Sequence, residues 1–68
     1  MIKINEVAYL LGLADEGQVT EGNKSEARAI LKFFGVVGQD AEQTGPLKAG
    51  KVYDEAKVKR IAEVRAGY

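Results

Sequence analysis

The residues of this chain with the clearest capacity for chemistry are basic. Lys24, Arg28 and Lys32 recur at intervals of four, which places them on one stripe if the segment is helical. Lys48 and Lys51 flank a glycine further along. Arginine can form a bidentate contact with guanine, and lysines can meet phosphates, so these groups suit DNA. The candidate DNA-contacting residues are Lys24, Ser25, Arg28, Lys32, Lys48 and Lys51.

Each basic group also has a simpler interpretation. Lysines and arginines four residues apart are common on solvated helix faces, and a basic hairpin tip can serve solubility alone. The basic helical stripe follows an opening helix, and this order slightly favours DNA contact over a solvated face. For Lys48 and Lys51 in the predicted hairpin, DNA contact and simple solubility have equal weight.

Other chemistries are poorly supported. The 68 residues include no Cys and no His, which excludes disulfides, thiolate or imidazole metal sites, and nucleophiles built on those side chains. Asp15, Glu16 and Glu21 lack the spacing of a calcium loop and are predicted to be solvated. The glycines match no phosphate-binding loop. We therefore expect no enzyme, cofactor or metal.

Charge is balanced overall but unevenly distributed. The ten basic and ten acidic residues give a formal net charge of +0. Up to Gln43 there are four basic and seven acidic residues, whereas from Thr44 onward there are six and three. DNA attraction depends on local fields, so such a chain can still present one basic face.

The first predicted helix begins at Asn5, which can cap free N–H groups, and ends at Gly12, which can take a positive φ. Residues 14–22 hold two glycines and three acids without periodicity, so they are predicted to form an exposed loop. The apolar residues at helical spacing are Ile4, Val7, Ala8, Leu10 and Leu11.

The second predicted helix begins at Asn23, with Glu26 completing a capping box, or at Ser25 as the alternative cap. Gly35 ends it. A 100° rotation per residue puts the basic stripe beside an apolar stripe that should enter the core. That apolar stripe consists of Ala27, Ile30, Leu31 and Phe34. Phe33 lies off its centre and is predicted at the core edge, with a partner surface as the alternative.

A β-hairpin and a third helix are predicted to follow. Residues 36–37 are predicted to pair with residues 51–53, which makes a hairpin with a long tip. Tyr53 is predicted to pack in the core, with a sugar-phosphate contact as the alternative. Asp54 should cap a helix whose inward residues are Val58, Ile61 and Ala62, joined by the aliphatic stem of Arg65.

Two stretches resemble a known superfamily. Residues 4–13, INEVAYLLGL, are similar to the opening helix of MerR-like winged-helix proteins, with its E-[VL]-A-x-L-x-G pattern. Residues 53–58, YDEAKV, are similar to its post-wing pattern of an aromatic residue, a cap, polar residues and an apolar anchor. This superfamily includes phage excisionases. The resemblance implies one α+β winged helix-turn-helix domain over residues 1–68, with about three helices and a β-hairpin wing.

The resemblance further implies binding to duplex DNA, with the second helix in the major groove and the wing on the neighbouring backbone. The implied functions are an excisionase (recombination directionality factor) of a phage or mobile element, or a small transcription regulator. An integrase and further copies of the chain on DNA are expected partners. The chain departs from the family in its longer connection and in having Ala29 after Arg28.

A protein-interaction module on the same scaffold is the alternative function. Such a phage assembly or anti-repressor protein would use Phe33, Tyr9 and the acidic loop without binding DNA. The zero net charge and the acidic first half favour it.

No apolar run approaches the roughly 20 residues of a membrane span, and residues 1–5 lack a signal-peptide core. We therefore expect a soluble protein, and the resemblance to phage excisionases implies the cytoplasm of a bacterial host.

Overall fold

The structure is a computed structural model that describes residues 1–40 and 50–67. This part of the chain contains three helices and three strands in the order β1 (Ile2–Lys3), α1 (Ile4–Leu10), α2 (Glu21–Phe33), β2 (Gln39–Asp40), β3 (Lys51–Tyr53) and α3 (Glu55–Ala66). Strand β3 lies between β1 and β2 and is antiparallel to both. The predicted small α+β class is confirmed, and the arrangement is consistent with a winged helix-turn-helix.

The N-cap of helix α1 lies two residues earlier than predicted. Lys3 occupies the N-cap position without a side-chain hydrogen bond, so the predicted cap at Asn5 is wrong. The reason is strand β1, which leads directly into the helix and pairs Ile2 with Tyr53. Strand β1 is not predicted from the sequence, because two residues are too few to show an alternating pattern. Gly12 has a φ of +77° after the helix, in agreement with the prediction.

Helix α2 begins about one turn earlier than predicted, and its cap is Thr20 rather than Asn23 or Ser25. The Asn23 N–H donates to Thr20 Oγ1 at 3.1 Å, and the Thr20 N–H donates to Asn23 Oδ1 at 3.0 Å. Asn23 is therefore in a capping box, but as the third helical residue. The connection from α1 to α2 is correspondingly shorter, because residues 21 and 22 belong to the helix.

The end of α2 explains why the predicted strand at residues 36–37 is absent. Gly35 has a φ of +77°, and the Val36 N–H donates to the Leu31 carbonyl at 2.9 Å. This helix-terminating turn uses the backbone donor that a strand would need. Strand β2 consequently begins at Gln39, where it pairs with Val52 of β3.

Asp54 caps α3 as predicted. Its Oδ1 accepts hydrogen bonds from the N–H groups of Ala56 and Lys57 at 2.9 and 3.3 Å. Val58 and Ile61 face inward from this helix and are buried. No helix in the described part of the chain is long and apolar enough to cross a bilayer.

The core lies where α1, α2, α3 and β3 meet. Tyr53 is buried, as predicted, whereas the prediction for Phe33 is wrong, because 86% of this side chain is exposed. Phe33 follows Leu31 by two residues and so lies roughly 160° around the helix from that buried side chain. The buried residues of the described chain are Ile2, Val7, Ala8, Leu11, Ala27, Leu31, Tyr53, Val58 and Ile61.

Candidate nucleic-acid interface

Helix α2 presents two of the predicted basic residues to solvent. Ala27 and Leu31 are buried against the core, which fixes the rotation of the helix about its axis. Arg28 and Lys32 each follow one of these buried residues and are exposed. Since they are four residues apart, their side chains leave the helix on the same side.

A third cation joins them from the sheet. Arg28, Lys32 and Lys51 line one shallow depression of about 310 Å³ between the end of α2 and strand β3. Lys51 and Tyr53 are two residues apart on β3 and therefore point to the same face of the sheet. We call this surface the basic depression. None of the described residues that line it is acidic. Besides the three cations, these residues are Leu31, Gly35, Val36, Val37, Gly38 and Tyr53.

Gly38 and Tyr53, which both line the basic depression, pack closely against each other. A Cβ atom placed on Gly38 would lie 2.6 Å from Cε1 and 2.8 Å from Cζ of the Tyr53 ring. Only glycine leaves room for the ring at this point, since real Cβ contacts are longer. The turn after α2 can therefore pack directly on the strand that carries Lys51.

The other predicted contact residues lie elsewhere. The Lys24 Nζ is 3.1 Å from Glu21 Oε1, and only 23% of the Lys24 side chain is exposed. Ser25 is exposed on the first half of α2. Neither residue lines the basic depression. Lys48 lies outside the residues that the structure describes.

Val37 is a candidate contact residue that the sequence analysis did not identify. Its side chain is 81% exposed and lines the basic depression. The apolar pair at residues 36–37 suggests a buried strand in the sequence, and nothing in the pattern distinguishes the exposed valine from the half-buried one.

The acidic residues form a separate surface. Asp15, Glu16 and Glu21 are all exposed, in agreement with the prediction that they are solvated. Glu6, Glu16 and the exposed Tyr9 line a depression of about 230 Å³ between α1 and the following connection. Within the described ranges, no group of three acidic residues could hold a metal ion.

An ion pair on α3 carries the clearest local electrostatic effect. The Lys59 Nζ lies 2.8 Å from Glu55 Oε2. Its hydrogen bond and its positive charge lower the pKa of the Glu55 carboxyl, and the carboxylate in turn raises the pKa of Lys59. The side chains of Lys59 and Glu55 are 58% and 45% exposed, and neither lines the basic depression.

Comparisons with known protein families, with curated proteins and with solved structures found no match to this chain. The convergence of Arg28, Lys32 and Lys51 is therefore the principal guide to function.

Proposed function

We propose that this chain binds duplex DNA through the basic depression. The observation that carries the proposal is that Arg28, Lys32 and Lys51, which come from a helix and a strand distant in sequence, line one concave surface. Three cations converge there although the whole chain has a formal charge of +0, and none of the described lining residues is acidic, which supports local attraction of a polyanion.

In this proposal α2 enters the major groove as the second helix of the helix-turn-helix. Arg28 points to base edges, where a guanidinium can make two hydrogen bonds to guanine. Lys32 and Lys51 neutralise phosphates on the flanking backbone, and Val37 contacts sugar or base methyl groups. Because Tyr53 and Gly38 fix the spacing between α2 and β3, these contacts are made by a preformed surface.

The more specific proposal is an excisionase of a phage or mobile element, or a small MerR-like transcription regulator. It is supported by the sequence patterns at residues 4–13 and 53–58. Both functions require duplex DNA in the cytoplasm of a bacterial host. An excisionase would in addition bind an integrase, which separates the two functions experimentally.

The test is the double charge reversal Arg28→Glu/Lys32→Glu, with DNA affinity measured by fluorescence anisotropy on labelled duplexes at low and moderate salt. Each lost contact weakens binding by about 1–3 kcal/mol, so the variant should bind at least about tenfold more weakly. Wild-type affinity should fall as salt rises, and the variant should show a shallower salt dependence.

A matched control is Lys57→Glu/Arg60→Glu, which changes the net charge equally on the exposed side of α3. This control should lose much less affinity. Equal losses in both variants would show that binding follows net charge and not the basic depression. Absence of wild-type binding at low salt would refute the proposal.

A second candidate is a protein-interaction module that does not bind DNA. It is favoured by the exposed Tyr9, which shares its depression with Glu6 and Glu16. An aromatic ring with a polar tip that shares a depression with two carboxylates suits a Lys- or Arg-rich peptide. This candidate predicts that such a peptide binds the wild type and that Tyr9→Ala abolishes the binding. Fluorescence anisotropy of a labelled peptide measures both affinities.

A further inference from the structure

A second exposed surface of α2 is apolar and aromatic. Phe33 is 86% exposed and Phe34 is 39% exposed, and their rings meet edge to face with centroids 5.4 Å apart. They line a depression together with Ala29 and Ile30 of α2, and Glu26 and Arg65 line it as well. We call this surface, defined by these six residues, the aromatic patch. The exposed ring of Phe33 offers apolar area that would be buried if another molecule bound to the aromatic patch.

The charges of the aromatic patch indicate what covers it. The described residues form three ion pairs, and neither Glu26 nor Arg65 takes part in them. The aromatic patch thus carries one acid, Glu26, and one base, Arg65, beside its apolar centre. Such a surface is complementary to a second copy of itself related by a twofold axis. Glu26 of each copy would then face Arg65 of the other. The formal net charge of +0 means that two copies do not repel each other at long range.

We infer that the aromatic patch is a self-association surface, through which two copies of this chain form a symmetric dimer. Phe33 is the anchor of this surface, because it is a large apolar side chain with little burial in its own chain. The contact is centred on one helix per copy, so it belongs to the small class of interfaces and gives a weak, reversible dimer.

The dimer leaves the basic depression open. Arg28 and Phe33 are five residues apart on α2, which corresponds to about 140° around the helix axis. The two surfaces can therefore be occupied together. Self-association does not depend on the proposed DNA binding, and it is measured without DNA.

The first experiment is sedimentation equilibrium of the full chain, without DNA, over micromolar to millimolar concentrations. The wild type should show a reversible monomer–dimer equilibrium. Phe33→Ser should raise the dissociation constant at least about tenfold, since aromatic anchors dominate small interfaces. Circular dichroism should show the same helix content in both proteins, because Phe33 is not part of the core.

A charge exchange then tests the symmetry. Glu26→Arg and Arg65→Glu should each weaken the dimer, because like charges then face each other. The double variant Glu26→Arg/Arg65→Glu should restore it, and so should an equimolar mixture of the two single variants, since both contacts in the mixed dimer are again attractive.

A wild type that stays monomeric at all concentrations would overturn the inference. A dimer that persists in Phe33→Ser would also overturn it, as would failure of both the double variant and the mixture to recover association. None of these outcomes bears on DNA affinity, so the proposed function stands or falls separately.

Discussion

The two exposed surfaces of α2 differ in how the fold constructs them. The basic depression takes residues from α2, from the turn at residues 35–38 and from β3. The aromatic patch takes four of its six residues from α2 and a fifth, Phe34, from the C-cap of that helix, with Arg65 of α3 as the sixth. One surface therefore requires correct tertiary packing, whereas the other requires little more than a folded helix.

This difference has consequences for recognition. A surface assembled from distant segments fixes the relative positions of its cations, which suits the regular phosphate spacing of a duplex. Its attraction is electrostatic and falls with salt. The apolar centre of the aromatic patch offers area but little fixed geometry, and salt does not screen it. Salt acts only on the contacts between Glu26 and Arg65 at its edge. Salt should thus weaken DNA binding much more than it weakens self-association.

The largest expected effect tests which side of α2 supports the fold. Leu31 is fully buried, so Leu31→Ala should lower the free energy of unfolding by about 2–5 kcal/mol through lost burial and a cavity. A domain of this size has only roughly 3–10 kcal/mol in total, so a substantial unfolded fraction is expected. Urea denaturation followed by circular dichroism measures it.

The comparison variant is Phe33→Ala on the same helix. Because this side chain is 86% exposed, its truncation should change the stability of the monomer by no more than about 0.5 kcal/mol. Similar losses in the two variants would mean that Phe33 packs against its own chain, and the contrast between the two surfaces would fail.

The next largest effect is expected for Gly38→Ala, which should change the basic depression and leave the aromatic patch unchanged. In Gly38→Ala the added methyl group would overlap the Tyr53 ring, so the turn or the ring must move. Overpacking of this kind typically costs about 1–3 kcal/mol. DNA affinity should fall, because the shift displaces Lys51 from Arg28, whereas self-association through the aromatic patch should be unchanged.

Gly50→Ala is the matched control for this variant. A Cβ at Gly50 meets nothing within 4 Å in the described structure, so its stability and DNA affinity should stay close to those of the wild type. If Gly38→Ala behaved like Gly50→Ala, the Tyr53 contact would not fix the geometry of the basic depression.

The sequence was sufficient to predict features that depend on local periodicity. The burial of Ala27 and Leu31, the exposure of Arg28 and Lys32, the cap at Asp54 and the burial of Tyr53 follow from spacing and residue type, and they agree with the structure. Each of these features is decided within one or two turns of chain. The predicted core position of Phe34 is wrong, because this residue is 39% exposed.

The errors arose where local signals compete or where distant segments decide. Thr20 and Asn23 both suit an N-cap, and the capping box they form together resolves the choice in favour of Thr20. The turn at Gly35 takes Val36 out of the predicted strand. Lys51 and Arg28 line the same depression because β3 pairs with its neighbouring strands. No local sequence pattern encodes that pairing.

The smallest expected effect lies on α3, away from both surfaces. Lys59 lowers the pKa of Glu55, so the ion pair stabilises the folded state above the unfolded-state pKa of this carboxyl, and that contribution is lost as the pH falls through the folded-state pKa. Glu55→Gln should therefore be slightly less stable than the wild type at pH 7, and the difference should disappear at an acidic pH at which the carboxyl is protonated in the folded state.

Urea denaturation at both pH values tests this, with Glu16→Gln as the control, since Glu16 is exposed and forms no ion pair within the described residues. DNA affinity and self-association should be unchanged in Glu55→Gln, because Glu55 lines neither surface. A stability difference that persisted at low pH would mean that Glu55 acts through packing and not through its charge. A loss of DNA affinity would instead mean that the interface extends onto α3, which would remove the contrast between a basic depression built by tertiary packing and the rest of the surface.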